Sequence, residues 1–159
     1  VDTLLIGHSE RRHILGEEQS FIAKKYAYAK EKKSEIIYCV GEPQEIREQG
    51  IDAVMRYIWE QFEDIDMSYE RLIVAYEPVW AIGTGLSASL ADIEEVLARL
   101  AQKLSAPLLY GGSVKVDNLE SILHVKYCQG VLVGTASWNE EAFCKMIEIA
   151  DSVTKGCVR

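Results

Sequence analysis

The sequence predicts an α/β protein built on a parallel sheet, and three observations predict it. Short apolar runs recur at 3–6, 36–40, 72–76, 108–110 and 130–133. Each is followed by a turn containing Gly, Ser or Pro and then by apolar residues at helical spacing. The runs are near-continuous rather than alternating, as strands buried on both faces should be. Strand and helix in strict alternation imply parallel strands covered by helices.

The elements follow in order. The first strand, Leu4-Leu5-Ile6, is bounded by Thr3 and Gly7, and the helix at 17–33 carries Ile22, Tyr26 and Ala29 on one face. After the strand at 36–40, Val54, Tyr57, Ile58 and Phe62 mark a second helix. After 72–76, Ile93, Val96, Leu97, Leu100 and Leu104 mark a third. After 108–110, Leu119, Ile122 and Leu123 mark a shorter one, and after 130–133 the last carries Phe143, Met146, Ile147 and Ala150. Five units in 159 residues average about 32 each, and eight such units need about 250, the usual length of a closed eight-stranded barrel. An open five-stranded sheet accounts for the length with nothing missing. A barrel requires three more units. Pattern alone slightly favours the open sheet, which needs no missing piece.

The composition narrows the function. Acidic residues outnumber basic ones 25 to 17, a net charge of −8, which argues against nucleic-acid partners and anionic membranes. A single small phosphorylated ligand stays possible, because backbone amides can hold one phosphate without a basic surface. No apolar run approaches the roughly 20 residues of a membrane span, and no signal peptide is visible. Val1 is not a natural start residue, so a preceding segment stays open. Cys39, Cys128, Cys144 and Cys157 form no C-x-x-C pair. Free thiols in a reducing cytoplasm are the expected state.

Four motifs carry chemistry. Gly7-His8-Ser9-Glu10-Arg11-Arg12 follows the first strand, where Ser9 is a candidate cap for a helical turn starting at Glu10. A helix N-terminus beside His8 favours a neutral imidazole. Alone, His8 reads more readily as a structural histidine satisfied by its neighbours. Ala75-Tyr76-Glu77-Pro78-Val79-Trp80-Ala81-Ile82-Gly83-Thr84-Gly85 places Glu77 at a strand end, where a carboxylate can be tuned into a general base. Rigid Pro78, bulky Trp80 and two glycines suit a loop that moves between two positions. Glu77 in an ordinary salt bridge beside an ordinary turn is the alternative. Leu109-Tyr110-Gly111-Gly112-Ser113-Val114 and Val131-Leu132-Val133-Gly134-Thr135-Ala136-Ser137 set small residues between strand and helix, where amides suit an anion.

In this order and spacing, these motifs together with Cys39-Val40-Gly41-Glu42 resemble the triosephosphate isomerase family, from end to end of the chain. The resemblance implies a parallel (β/α)8 TIM barrel. The five runs match its fourth to eighth strands, so residues 1–159 are expected to form one incomplete barrel domain lacking three N-terminal units. It further implies interconversion of dihydroxyacetone phosphate and glyceraldehyde 3-phosphate through an enediolate, with no metal and no organic cofactor. Glu77 matches the family's base and His8 its neutral electrophilic histidine. Glu10 matches a glutamate near the catalytic centre. Gly83, Ser113, Gly134 and Thr135 match positions that bind phosphate, and closure of 78–88 protects the enediolate. A cytoplasmic homodimer is implied as well. Thr135 stands where the family usually has a second glycine, and Leu86 replaces the usual lysine or valine. The family's Asn-x-Lys after its first strand has no counterpart in these residues. The competing readings are a catalytically incompetent phosphate-binding half-barrel and another phosphate-binding barrel enzyme such as an aldolase, although neither a strand lysine for a Schiff base nor a metal cluster is visible.

Overall fold

A computed structural model describes residues 1–82 and 87–156. Four parallel strands form one sheet in the order β1 (Thr3–Ile6), β2 (Glu35–Val40), β3 (Leu72–Tyr76), β4 (Leu108–Tyr110). The helices are α1 (Gln19–Glu31), α2 (Gln44–Arg47), α3 (Ile51–Glu60), α4 (Leu90–Ala101), α5 (Val116–Leu123) and α6 (Glu140–Gly156). Register is continuous across the sheet, with Leu5 beside Ile37, Ile37 beside Ile73, and Val74 beside Leu108.

The fifth expected strand, 130–133, is reduced to one bridge. Tyr110 donates its N–H to the Gly130 carbonyl at 3.0 Å and accepts the Leu132 N–H at 2.8 Å, which pairs Val131 with Tyr110. On the other side of this bridge the Gln129 N–H donates to the Leu108 carbonyl at 2.8 Å, and the Gln129 side-chain oxygen accepts the Leu108 N–H at 3.0 Å. A strand with a neighbour on one side only has little to hold it straight.

Alternate residues explain how the sheet is buried. Ile36, Tyr38, Leu72, Val74, Leu108 and Tyr110 are almost wholly buried against the helices. They meet Ile22 and Tyr26 of α1, Val54 and Ile58 of α3, Ile93, Leu97 and Leu100 of α4, and Leu119 of α5. The other face is only partly covered, with Leu5 44% exposed and Ile37, Ile73 and Leu109 intermediate. The apolar runs predicted burial on both faces, and only one is buried throughout.

Three further differences have local causes. Ser9 does not cap the turn that follows. It is itself helical (φ −52°, ψ −41°), makes no side-chain cap bond, and precedes a π-helical turn at Glu10–Ile14. Phe62 and Leu104 lie beyond the ends of their helices yet are buried in the core. On α6 only Met146 is buried, and Phe143 and Ile147 face outward. Ser89 is a cap that forms, in a reciprocal box with Asp92 at the start of α4.

Candidate active site

His8 and Glu10 follow β1, Glu77 follows β3 and Ser113 follows β4, which places them at the carboxyl end of the sheet, while Gly134 and Thr135 follow the single bridge at Val131. The order of strands puts β1 and β3 on either side of β2. The turns after all three therefore meet.

Glu77, the first residue past β3, is the centre. It is 2% exposed, and its backbone is fixed by donation from its N–H to the Val40 carbonyl at 2.7 Å. Gly41 makes this possible, since a Cβ there would stand 1.8 Å from the Glu77 carbonyl oxygen. Gln61 holds Gly41 at both its amide and its carbonyl, at 3.1 and 2.8 Å. On the far side Gly111 lies against the Glu77 side chain, where an added Cβ would come within 2.9 Å of Cγ.

The carboxylate is met by the turn after β1. The Ser9 amide donates to Oε2 at 3.0 Å, and His8 Nε2 lies 3.3 Å from Oε1. The Glu10 amide donates to His8 Nδ1 at 3.4 Å. Nδ1 therefore presents a lone pair, and the ring proton sits on Nε2, facing the carboxylate. The Cys39 thiol also acts on Glu77 and draws its carboxyl down. Burial pushes the Glu77 carboxyl above its ordinary value of 4.5, against the opposing pull of His8, the Ser9 amide and Cys39. Burial and the adjacent Glu77 push the Cys39 thiol well up, so it stays protonated. A carboxylate lifted by burial and held by an imidazole is suited to accept and return a proton.

Arg12 braces this turn. It donates to the Gly7 carbonyl at 2.8 Å, the Tyr38 hydroxyl at 2.9 Å and the Cys39 carbonyl at 3.3 Å. Gly7 (φ +79°) permits the approach, because a side chain there would strike the guanidinium. Behind Glu77, wholly buried Glu42 accepts the Tyr76 hydroxyl at 3.1 Å and the Trp80 indole N–H at 3.0 Å.

The other predicted residues are placed as follows. Glu10 is exposed, and among the described residues its carboxylate pairs with nothing; its backbone, not its side chain, touches the site. Ser113 follows β4 and accepts the Asn118 side-chain amide on its carbonyl at 2.9 Å. Gly134 and Thr135 are exposed at the start of a 3-10 turn, Thr135–Trp138, with Ser137 donating to the Gly134 carbonyl. Gly83, Gly85 and Leu86 of the predicted loop lie outside the described residues. Sequence reasoning gave no role to Cys39, Gln61 or the Ser9 amide. Their signal is a short buried polar chain that only the pairing of β1, β2 and β3 assembles. A groove of about 590 Å³ between α5 and α6, lined by Glu120, His124 and Lys145 among others, contains none of these residues. Among the described residues no helix is long and apolar enough to cross a membrane.

A parallel α/β scaffold with a buried carboxylate and an imidazole meeting at its strand ends is an arrangement of the barrel-enzyme class. Comparison with known proteins is specific. The chain belongs to the triosephosphate isomerase family, whose family model matches residues 1–150. It is 53% identical over 150 residues to the triosephosphate isomerase of a Nitratiruptor species, covering 94% of this chain and 65% of that one. It is 52% identical over 155 residues to that of Sulfurimonas denitrificans, covering 98% and 65%. The crystal structure of triosephosphate isomerase from Bartonella henselae superposes with a TM-score of 0.82 at 31% identity, covering 94% and 65%. The chain thus spans just under two thirds of the length of the relatives it matches.

Proposed function

We propose that residues 1–159 supply the fourth to eighth units of a (β/α)8 barrel and that the complete barrel is a triose-phosphate isomerase. The observation that carries this reading is the contact between His8 Nε2 and the buried Glu77 carboxylate. Glu77 takes the proton from the carbon beside the substrate carbonyl, giving an enediolate, and returns it to the neighbouring carbon. His8 gives its Nε2 proton to the carbonyl oxygen and takes back the proton of the neighbouring hydroxyl, so the ring ends as it began. The Ser9 amide and the Glu10 amide hold base and acid in place from one turn. Glu10 and the amides of Gly83, Ser113, Gly134 and Thr135 are assigned as in the family, the last four to the phosphate, in keeping with a helical turn that starts at Thr135. Thr135 still offers its N–H where the family has glycine.

The barrel reading draws support from the sheet. Its partly covered face carries Leu5, Ile37, Ile73 and Leu109, apolar residues suited to a barrel interior. Both outer edges, at β1 and at Val131, have a partner on one side only. Exposed Ile14, Leu15 and Phe21 suit a second copy in a homodimer. Free Cys39, Cys128 and Cys144 suit a cytoplasmic location.

The test is complementation. The 159-residue chain is assayed alone, mixed with the three N-terminal units of the Nitratiruptor relative, and fused to them. The expected result is no turnover alone, because the chain has no Asn-x-Lys and one preorganised charge is worth roughly 3–4 kcal/mol at a transition state. Activity is expected to return on mixing or fusion. Near-normal activity of the chain alone overturns the split-barrel reading. Inactivity of a folded fusion overturns the isomerase reading.

A further inference from the structure

β2 outruns one of its neighbours. Its pairing with β1 ends at Tyr38, whereas its pairing with β3 continues to Val40, whose carbonyl then accepts the Glu77 amide. Cys39 and Gly41 thus have no residue of β1 opposite them, and a peptide group left unmet in the interior is costly. Side chains take the place of the strand. Arg12 Nη2 donates to the Cys39 carbonyl at 3.3 Å. Gln61, 7% exposed just past α3, serves Gly41 twice. Its Oε1 accepts the Gly41 N–H at 3.1 Å, and its Nε2 donates to the Gly41 carbonyl at 2.8 Å. A carboxamide can do this because it carries donor and acceptor side by side, as a peptide group does. Nε2 also donates to the Tyr57 carbonyl at 3.3 Å, which fixes the orientation of the amide.

We propose that Gln61 is a positioning residue for Glu77 and His8: as a stand-in for a strand it fixes Gly41, against which the Glu77 carbonyl lies, and its own main-chain carbonyl joins it, through Tyr38 and Arg12, to the turn that carries His8. Each link is a hydrogen bond. The wholly buried Tyr38 hydroxyl donates to the Gln61 carbonyl and accepts Arg12 Nη2 at 2.9 Å. Arg12 Nε in turn donates at 2.8 Å to the carbonyl of Gly7, the residue before His8.

The closeness of Gly41 to Glu77 gives the clamp its leverage. A Cβ on Gly41 would stand 1.8 Å from the Glu77 carbonyl oxygen, so the two backbones lie in contact and a movement of one displaces the other. Glu77 Oε1 is 3.3 Å from His8 Nε2, and a misplacement of about 1 Å at a reacting group can cost as much as 10²-fold in rate. Gln61 itself is in contact with neither carboxylate nor imidazole, so its loss removes no group from the site. Methionine at this position fills similar space without donor or acceptor, and an ionised glutamate keeps the acceptor alone.

The importance of Glu77 rests on the isomerase reading, but the placement of its carboxylate is read without turnover. The probe is the Ser9 amide ¹H–¹⁵N resonance of the 159-residue chain, because that amide donates to Glu77 Oε2 at 3.0 Å. Gln61→Met is expected to move it upfield in ¹H, toward an amide with no carboxylate partner, and to shift the Gly41 amide as well. Ile58→Val, which trims the buried face of α3 and leaves the carboxamide in place, is expected to lower the melting temperature and move neither. In the fused barrel, Gln61→Met is expected to lower kcat by roughly 10–10²-fold with KM little changed. An unmoved Ser9 amide in Gln61→Met, or in Gln61→Glu where Gln61→Met does not fold, overturns the proposal. An equal movement in Ile58→Val, or an unchanged kcat in an active fused barrel, does so too. Inactivity of the fused parent overturns the isomerase reading and leaves the Ser9 result standing.

Discussion

His8 and Glu77 face each other across β2, with Nε2 3.3 Å from Oε1, while the opposite ring nitrogen accepts the Glu10 amide. This arrangement has one tautomer, with the proton on Nε2. An imidazole ¹⁵N spectrum is expected to show a pyridine-like Nδ1, and a protonated Nδ1 contradicts the assignment. In the complete enzyme Glu77→Gln is expected to reduce kcat by about 10²–10⁴-fold with KM little changed. A fall below tenfold removes Glu77 from the role of base.

Two glycines press on the same glutamate and are predicted to fail differently. Gly41→Ala drives a Cβ into the Glu77 carbonyl, a backbone clash that nothing nearby can relieve. Roughly 1–3 kcal/mol of stability is expected to be lost in urea denaturation. Gly111→Ala meets only the Glu77 side chain, which can turn aside. Its cost is expected in kcat of the complete enzyme, with a smaller change in the urea midpoint. Equal losses of stability in both variants contradict this division.

The raised carboxyl of Glu77 has a thermodynamic sign. Its folded value lies above the unfolded one, through burial. The folded state therefore holds this proton more tightly, and stability from this group falls as pH rises from about 4.5 through the folded value. Glu77→Gln cannot ionise and escapes the loss. The stability of Glu77→Gln relative to the parent is expected to be higher at pH 8 than at pH 5. A difference constant with pH, measured by chemical denaturation at both values, contradicts the burial argument.

The cysteines are expected to label in order of environment. Cys144 is exposed, whereas Cys39 is wholly buried with its thiol pushed well up by burial and by Glu77. Iodoacetamide at pH 8 is expected to modify Cys144 first and to leave Cys39 untouched until denaturant is added, as read by peptide mass spectrometry. Modification of Cys39 at the rate of Cys144 in the folded chain contradicts this placement.

The strands and the positions of His8 and Glu77 at strand ends were legible because each rests on local pattern. An apolar run ending in a turn announces β3, and Glu77 sits where that run stops. The supporting shell was not legible, since it depends on partners distant in sequence. Nothing around Ser9 shows that its amide is spent on Glu77 rather than its hydroxyl on a helix cap. Gln61 lies just past α3 and reads as surface until β2 is laid beside it. The run at 130–133 has full strand composition, yet pairing needs neighbours as well as composition, and Val131 has one. Phe143 and Ile147 fit the helical period but face outward, because periodicity marks a face without saying what covers it.

Strand order that follows chain order divides the molecule along the strand axis. The turns that enter β2, β3 and β4, at 32–34, 69–71 and 105–107, hold neither His8 nor Glu77, which leave from the opposite tips. Scaffold and chemistry are thus written in separate stretches of one text. A lineage can rewrite the tips and alter what is turned over without renegotiating how the sheet is assembled. It can equally shorten or lengthen the entering turns without disturbing a proton's path.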